Sequence, residues 1–187
     1  GRNVAVEWLH EQDQFWDKFS QELQCSLWGA EVWGDLSYYN NGQECQARLA
    51  RYAEAVRRCL DWLNAHRAEV FAAIEEEGLY DDALEALENM QDDDYYTQTI
   101  EEDGRSYLLV EGCDRFPLPY WKEDFFNSLV PGSLTFSADH KSTEFTLDMF
   151  LDTKPEIFVG HSIEVFLDGD FSLEEPAYNI TVNGLAG

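Results

Sequence analysis

The segment Gly160-His161-Ser162-Ile163-Glu164 brings an imidazole, a hydroxyl and a carboxylate close together in sequence. These are the side chains of acid–base and nucleophilic catalysis. A nucleophile elbow needs G-x-S-x-G on a strand-to-helix turn. Here the last position is Glu164, and the flanking residues alternate as a strand does. In a strand, His161 faces the same way as Ile163, Val165 and Leu167, while Ser162 and Glu164 face the other way. Adjacent strand residues cannot pair as nucleophile and base, so His161 is expected to be a buried histidine bonded to a backbone group. The enzymatic alternative is a small hydrolase or metal-dependent enzyme using His161 with a carboxylate such as Glu164 or Asp148. Asp168-Gly169-Asp170 resembles the start of a calcium loop, but an EF-hand needs Gly at its sixth position and Glu at its twelfth. Those positions hold Leu173 and Asn179. The triplet therefore reads as a turn joining two strands.

No Gly-rich phosphate loop, H-E-x-x-H pair or dinucleotide fingerprint is present, so no cofactor is expected. Cys25, Cys45, Cys59 and Cys113 lack metal-ligand spacing and have no companion histidine cluster, so no metal site is assigned. They are expected to be reduced, mostly buried thiols of a cytoplasmic protein. No catalytic residue is assigned.

A larger signal comes from the acids. Glu75, Glu76 and Glu77; Asp81 and Asp82; Asp92, Asp93 and Asp94; and Glu101, Glu102 and Asp103 form runs interleaved with Tyr80, Tyr95, Tyr96 and Tyr107. Tyrosine is favoured in interface hot spots. Glu75–Glu77 fall in a last helical turn before Gly78, where the helix dipole disfavours anions by ~0.3–1 kcal/mol each. Residues that cost stability suggest a surface kept for a basic partner, Tyr95 and Tyr96 included. The runs also fit a solvated acidic surface, or a weak site for a hard cation.

The whole chain shares this bias. Its 187 residues carry 12 Lys+Arg and 38 Asp+Glu, a net charge of −26. Residues 61–120 alone hold 3 basic and 17 acidic side chains, a net of −14. Direct nucleic-acid binding is disfavoured, because it needs clustered cations on the phosphates, and anionic membranes are disfavoured for the same reason. With 44% hydrophobic residues the chain is too apolar for a disordered acidic tail. No stretch approaches the ~20 apolar residues that span a bilayer, and residues 1–30 show no signal-peptide pattern.

The elements that must position these groups follow from periodicity. The expected fold is one α+β domain over 1–187, with helices packed on one face of a C-terminal antiparallel meander and an N-terminal hairpin. Residues 1–42 read as a helix over 4–22, carrying Val4, Trp8, Phe15 and Phe19, then a hairpin ending at Asn40-Asn41-Gly42. Over 43–90, steps of three and four through Leu49, Tyr52, Val56, Cys59, Leu60 and Leu63 mark a helix face, continued to Gly78 and resumed to Met90. Residues 91–120 read as an acidic connection holding one strand, 106–110. Residues 121–187 read as a short helix, ended by Pro131-Gly132, and then four alternating strands.

The C-terminal residues also carry a resemblance. Lys122-Glu123-Asp124-Phe125-Phe126 with Leu129 resembles a (T/S)-x-E-E-F-x-x-x-L helix. It is followed by Phe158-Val159-Gly160-His161-Ser162-Ile163-Glu164-Val165, Asp168-Gly169-Asp170-Phe171 and an Ile180 to Gly184 ending. Together these resemble a family of uncharacterised bacterial domains with an F-W-G-H-S-I-x-V, aspartate-glycine, I-x-G ending. Val159 replaces the usual aromatic, and the acidic segment 91–118 is longer than in that pattern. The resemblance implies a bacterial α+β domain, with some relatives beside toxins and immunity proteins, and it makes Gly160, His161, Ser162, Glu164, Asp168 and Gly169 structural motif residues. With the charge, it favours an immunity-type inhibitor of a cationic toxin or nuclease domain encoded nearby. A small hydrolase and a nucleic-acid mimic are the alternatives.

Overall fold

The computed structural model describes residues 7–93, 95–172 and 176–187. The fold is α+β. A seven-stranded mixed sheet and a three-stranded sheet are combined with four helices among the described residues.

The chain enters through β1 (Leu9–Gln12), β2 (Asp17–Leu27) and β3 (Ala30–Asn40), each antiparallel to the next. The helix expected over 4–22 is therefore replaced by strands, while Val4 lies outside the described residues. The physical reason is commensurate spacing. Phe15, Phe19 and Leu23 recur every four residues, which suits a helix face but is also twice the strand period. In β2, Phe19 and Leu23 share a face with Asp17, Cys25 and the fully buried Leu27. The hairpin expected to end at Asn40-Asn41-Gly42 is β2–β3, and its turn is Trp28-Gly29. Both turn residues have positive φ, 52° and 82°, which matches the twist of the paired strands.

Three helices follow: α1 (Gln46–Ala65), α2 (Arg67–Glu76) and α3 (Leu79–Gln91). The face through Leu49, Tyr52, Val56, Cys59, Leu60 and Leu63 is buried, and the pattern breaks at His66. Gly78, at φ 79°, separates α2 from α3. The end of α1 is tied to the first hairpin: Asn64 Oδ1 accepts the Trp28 backbone N–H at 2.9 Å, and Trp28 Nε1 donates to the Leu63 carbonyl at 2.8 Å.

Residues 91–120 hold three strands where one was expected. These are β4 (Thr97–Glu102), β5 (Arg105–Val110) and β6 (Arg115–Leu118), which form the small sheet in that order. Asp103-Gly104, with φ of 53° and 79°, makes the β4–β5 turn. Then α4 (Lys122–Ser128) passes directly into β7 (Leu129–Asp139). Pro131-Gly132 does not terminate a helix; it sits at an irregularity in β7 between Pro131 and Ser133. Strands β8 (Glu144–Thr153), β9 (Ser162–Asp170) and β10 (Asn179–Ala186) complete an antiparallel succession from β7. This succession is not a sheet of its own. β7 also pairs in parallel with β3, joining both halves in the order β1-β2-β3-β7-β8-β9-β10.

One side of this sheet is core. Leu36, Phe136, Leu147, Met149, Val165 and Leu167 are buried with α1 to α4 residues in a common apolar cluster. Tyr52 of α1 is fully buried within it, with ring centroids of Tyr38, Phe145 and Phe171 at 6.2, 6.4 and 5.6 Å. Such aromatic pairs add ~0.5–1.5 kcal/mol each beyond their buried area. Asp168-Gly169-Asp170 is not a turn but the end of β9. A Cβ on buried Gly169 would meet the rings of Phe145 at 2.7 Å and Tyr178 at 2.9 Å, so close packing explains the glycine.

Candidate functional site

The acidic residues from Glu75 to Asp103 belong to the end of α2, to α3 and to the β4–β5 hairpin. Residues 75–103 hold thirteen Asp and Glu and no Lys, Arg or His. Asp81 and Asp82 occupy the first turn of α3, where the helix dipole favours anions. Glu76 and Glu77 end α2 against that preference. These four are exposed, as are Asp92, Asp93, Glu101, Glu102 and Asp103. Tyr95, 83% exposed, and Tyr96, 51% exposed, stand edge to face at 4.5 Å on the same connection. Asp94 lies outside the described residues.

Two of the sequence-predicted acids are engaged within the molecule. Glu75 pairs with Lys122 of α4, and Glu102 pairs with Arg115 of β6. Arg105 donates to Asp124 at 2.9 Å and lies over the Trp121 ring at 4.8 Å. Arg115 also covers Tyr107 at 4.3 Å. The cations nearest in sequence are thus consumed by internal rings and carboxylates. Among the described residues Glu76, Glu77, Asp81, Asp82, Asp92, Asp93, Glu101 and Asp103 have no ion-pair partner within 4.0 Å.

The Gly160–Glu164 segment is arranged differently from its expectation. Gly160 has φ 76°, and β9 begins only at Ser162. His161 therefore precedes the strand and is exposed, not buried. Its backbone N–H donates to the Phe158 carbonyl at 2.8 Å. Alternation holds from Ser162 onward: Ile163, Val165 and Leu167 are buried, and Ser162 and Glu164 take the opposite face. Ser162 Oγ donates to Asp152 Oδ1 on β8 rather than to His161. The arrangement brings together a hydroxyl and a carboxylate, and His161 is not hydrogen-bonded to the hydroxyl. Among the described residues no group of three or more His, Cys, Asp or Glu is disposed to hold a metal ion.

The comparisons are silent. No family model matches the chain, and searches of curated proteins and of solved structures found no match. Among the described residues no helix is long and apolar enough to cross a membrane. The cysteines are free; Cys45 and Cys59 are buried, Cys25 is half-buried and Cys113 is exposed. Burial pushes the Cys59 thiol up to about 12, which removes thiolate chemistry there at neutral pH.

A second group was not assembled from the sequence, which named Asp148 and Glu164 only as carboxylates for the His161 alternative and did not single out the aromatic residues beside them. On the side of the large sheet away from the core, Trp33 of β3 is 60% exposed, and Phe150 and Phe166 are half-buried. Asp148 of β8 and Glu164 of β9 lie close to one another beside them; burial, then the adjoining Glu164 carboxylate, pushes the Asp148 carboxyl up to about 6. Asn183 Nδ2 donates to Glu164 Oε1 at 3.3 Å. The available signal was phase. Trp33, Phe150 and Phe166 are aromatic residues at positions whose strand neighbours on the same face are polar.

Proposed function

We propose that this protein is an acidic binding protein that occludes a basic protein surface, as an immunity-type inhibitor does for a cationic toxin or nuclease domain. The observation that carries the reading is the exposed acidic surface of α2, α3 and the β4–β5 hairpin, where eight described carboxylates have no ion-pair partner within 4.0 Å and two exposed tyrosines lie on the same connection. Such a surface costs stability through self-repulsion and gains it back only against a complementary charge. A partner so matched is steered into contact, so its association is fast and salt-sensitive. The resemblance of the C-terminal motif to bacterial domains near toxin genes agrees with this reading, and with one cytoplasmic α+β domain whose helices gather on one face of the C-terminal meander.

The test uses the basic protein encoded beside this chain's gene. Replacing Asp81, Asp82, Asp92 and Asp93 together by Asn is expected to slow association about tenfold or more in stopped-flow mixing. An unchanged rate, or no basic protein encoded there, would overturn the proposal.

A further inference from the structure

We propose that the open face of the seven-stranded sheet is a second docking surface, which takes an Arg or Lys side chain of a basic polypeptide into a cavity beside Tyr39 and an apolar contact onto Trp33. The basic character of that partner rests on the proposed function, but the site is separate from the α3 edge.

Register builds the surface. Ser20, Ser37, Ser137 and Thr146 stand opposite one another across β2, β3, β7 and β8 and continue to Asp168 of β9. A row of small side chains between rows of larger ones makes a furrow, because each strand adds only ~4.8 Å of width and no bulk rises from it. Where this row crosses β7, β8 and β9 lies an open cavity of about 240 Å³ whose lining includes Tyr39, Ser137, Asp139, Glu144, Thr146 and Asp168. Three carboxylates and the hydroxyls of Tyr39, Ser137, Ser142 and Thr146 offer acceptors there, and none of its lining residues is a cation. A planar guanidinium or an ammonium satisfies such a set, the first by forked bonds. The Tyr39 ring is a suitable wall, and it already holds the Lys18 ammonium 5.6 Å from its centroid.

Why a polypeptide rather than a small amine follows from distance. Trp33 and Tyr39 lie six positions apart on β3, about 20 Å at ~3.3 Å per residue. Between them run Asp35, with Glu22, Thr135 and Asp148 in the same cross-strand row. A single small cation reaches the cavity alone, whereas a basic segment spans cavity, acidic row and Trp33 together. Exposed aromatic area framed by carboxylates is the complement of such a segment.

The experiment is amide NMR on the intact wild-type protein in about 0.15 M salt, titrated with N-acetyl-arginine methylamide and, separately, its neutral citrulline analogue. Saturable shifts at Tyr39, Ser137, Asp139, Thr146 and Asp168 with arginine only are expected, and Thr146→Lys should abolish them by filling the cavity with a fixed cation. Shifts confined to residues 75–103, or no saturable shift, overturn the inference. With the basic partner protein, Thr146→Lys and Trp33→Ser are each expected to weaken binding about tenfold, in line with loss of a desolvated cation or an aromatic anchor. If those variants bind normally while the α3-edge variant does not, this inference falls and the proposed function stands. If the pattern is reversed, the edge reading falls and the sheet face carries the binding.

Discussion

The α3 edge and the open sheet face are both acidic, but their charge is held in different ways. On the edge, carboxylates stand exposed on a helix and a hairpin tip. On the sheet, neighbouring strands bring carboxylates together, so that Glu164 adds to burial in raising the Asp148 carboxyl. The edge is a charge reservoir that costs the fold little to change. The sheet face is a packed surface whose chemistry is coupled to the strands beneath it. Partner steering suits the first, and a shaped contact suits the second.

The sheet's own two sides set the largest expected contrast. Phe136, fully buried on β7, should lose about 3–5 kcal/mol when replaced by Ala. Trp33→Ser, on the neighbouring strand but the open side, should change stability by no more than about 0.5 kcal/mol. Urea unfolding measures both. A large loss for Trp33→Ser would mean that its ring is a structural part of the fold.

A smaller effect separates the two acidic regions by pH. The Asp148 carboxyl sits at about 6, above the ordinary value of 3.8. Its protonated form is favoured in the folded state, so its contribution is present below about pH 4 and is lost as pH rises through about 6. Asp148→Asn should therefore raise stability by about 1 kcal/mol at pH 7.5, allowing for partial solvent exposure, or ~2–4 °C in Tm. The gain should vanish near pH 4. A gain independent of pH would contradict the raised Asp148 carboxyl.

Much of this contrast was hidden in the sequence. The α1 to α3 faces and the alternation from Leu134 to Val182 were legible, because long regular patterns leave one period. The N-terminal strands were not, since Phe15, Phe19 and Leu23 fit both periods. Asp103-Gly104 and Asp168-Gly169 are the same dipeptide with opposite roles. The first is a hairpin turn, and the second leaves room for the Phe145 and Tyr178 rings. Only tertiary packing distinguishes them. The parallel β3–β7 pairing has no local signature, yet it creates the open face by joining Trp33's strand to those of Phe150 and Phe166. The acidic runs were legible as charge. That Glu75 and Glu102 are spent on Lys122 and Arg115 was not, because those partners come from later elements.

The smallest effect bears on why the edge is acidic. Glu76 and Glu77 close α2 against its dipole and have no ion-pair partner among the described residues. The double change Glu76→Gln and Glu77→Gln should raise Tm at low salt by about 1–3 °C, since each removes an unfavourable end charge. A fall in Tm would show that these glutamates serve the fold itself.

The central claim is tested most directly by the association rate of the wild-type protein with its adjacent-gene basic partner, followed across ionic strength. The account predicts a rate that falls steeply as salt rises toward about 0.15 M, with the slope flattened in the four-Asn edge variant. A rate that stays constant with salt in the wild-type protein would contradict it.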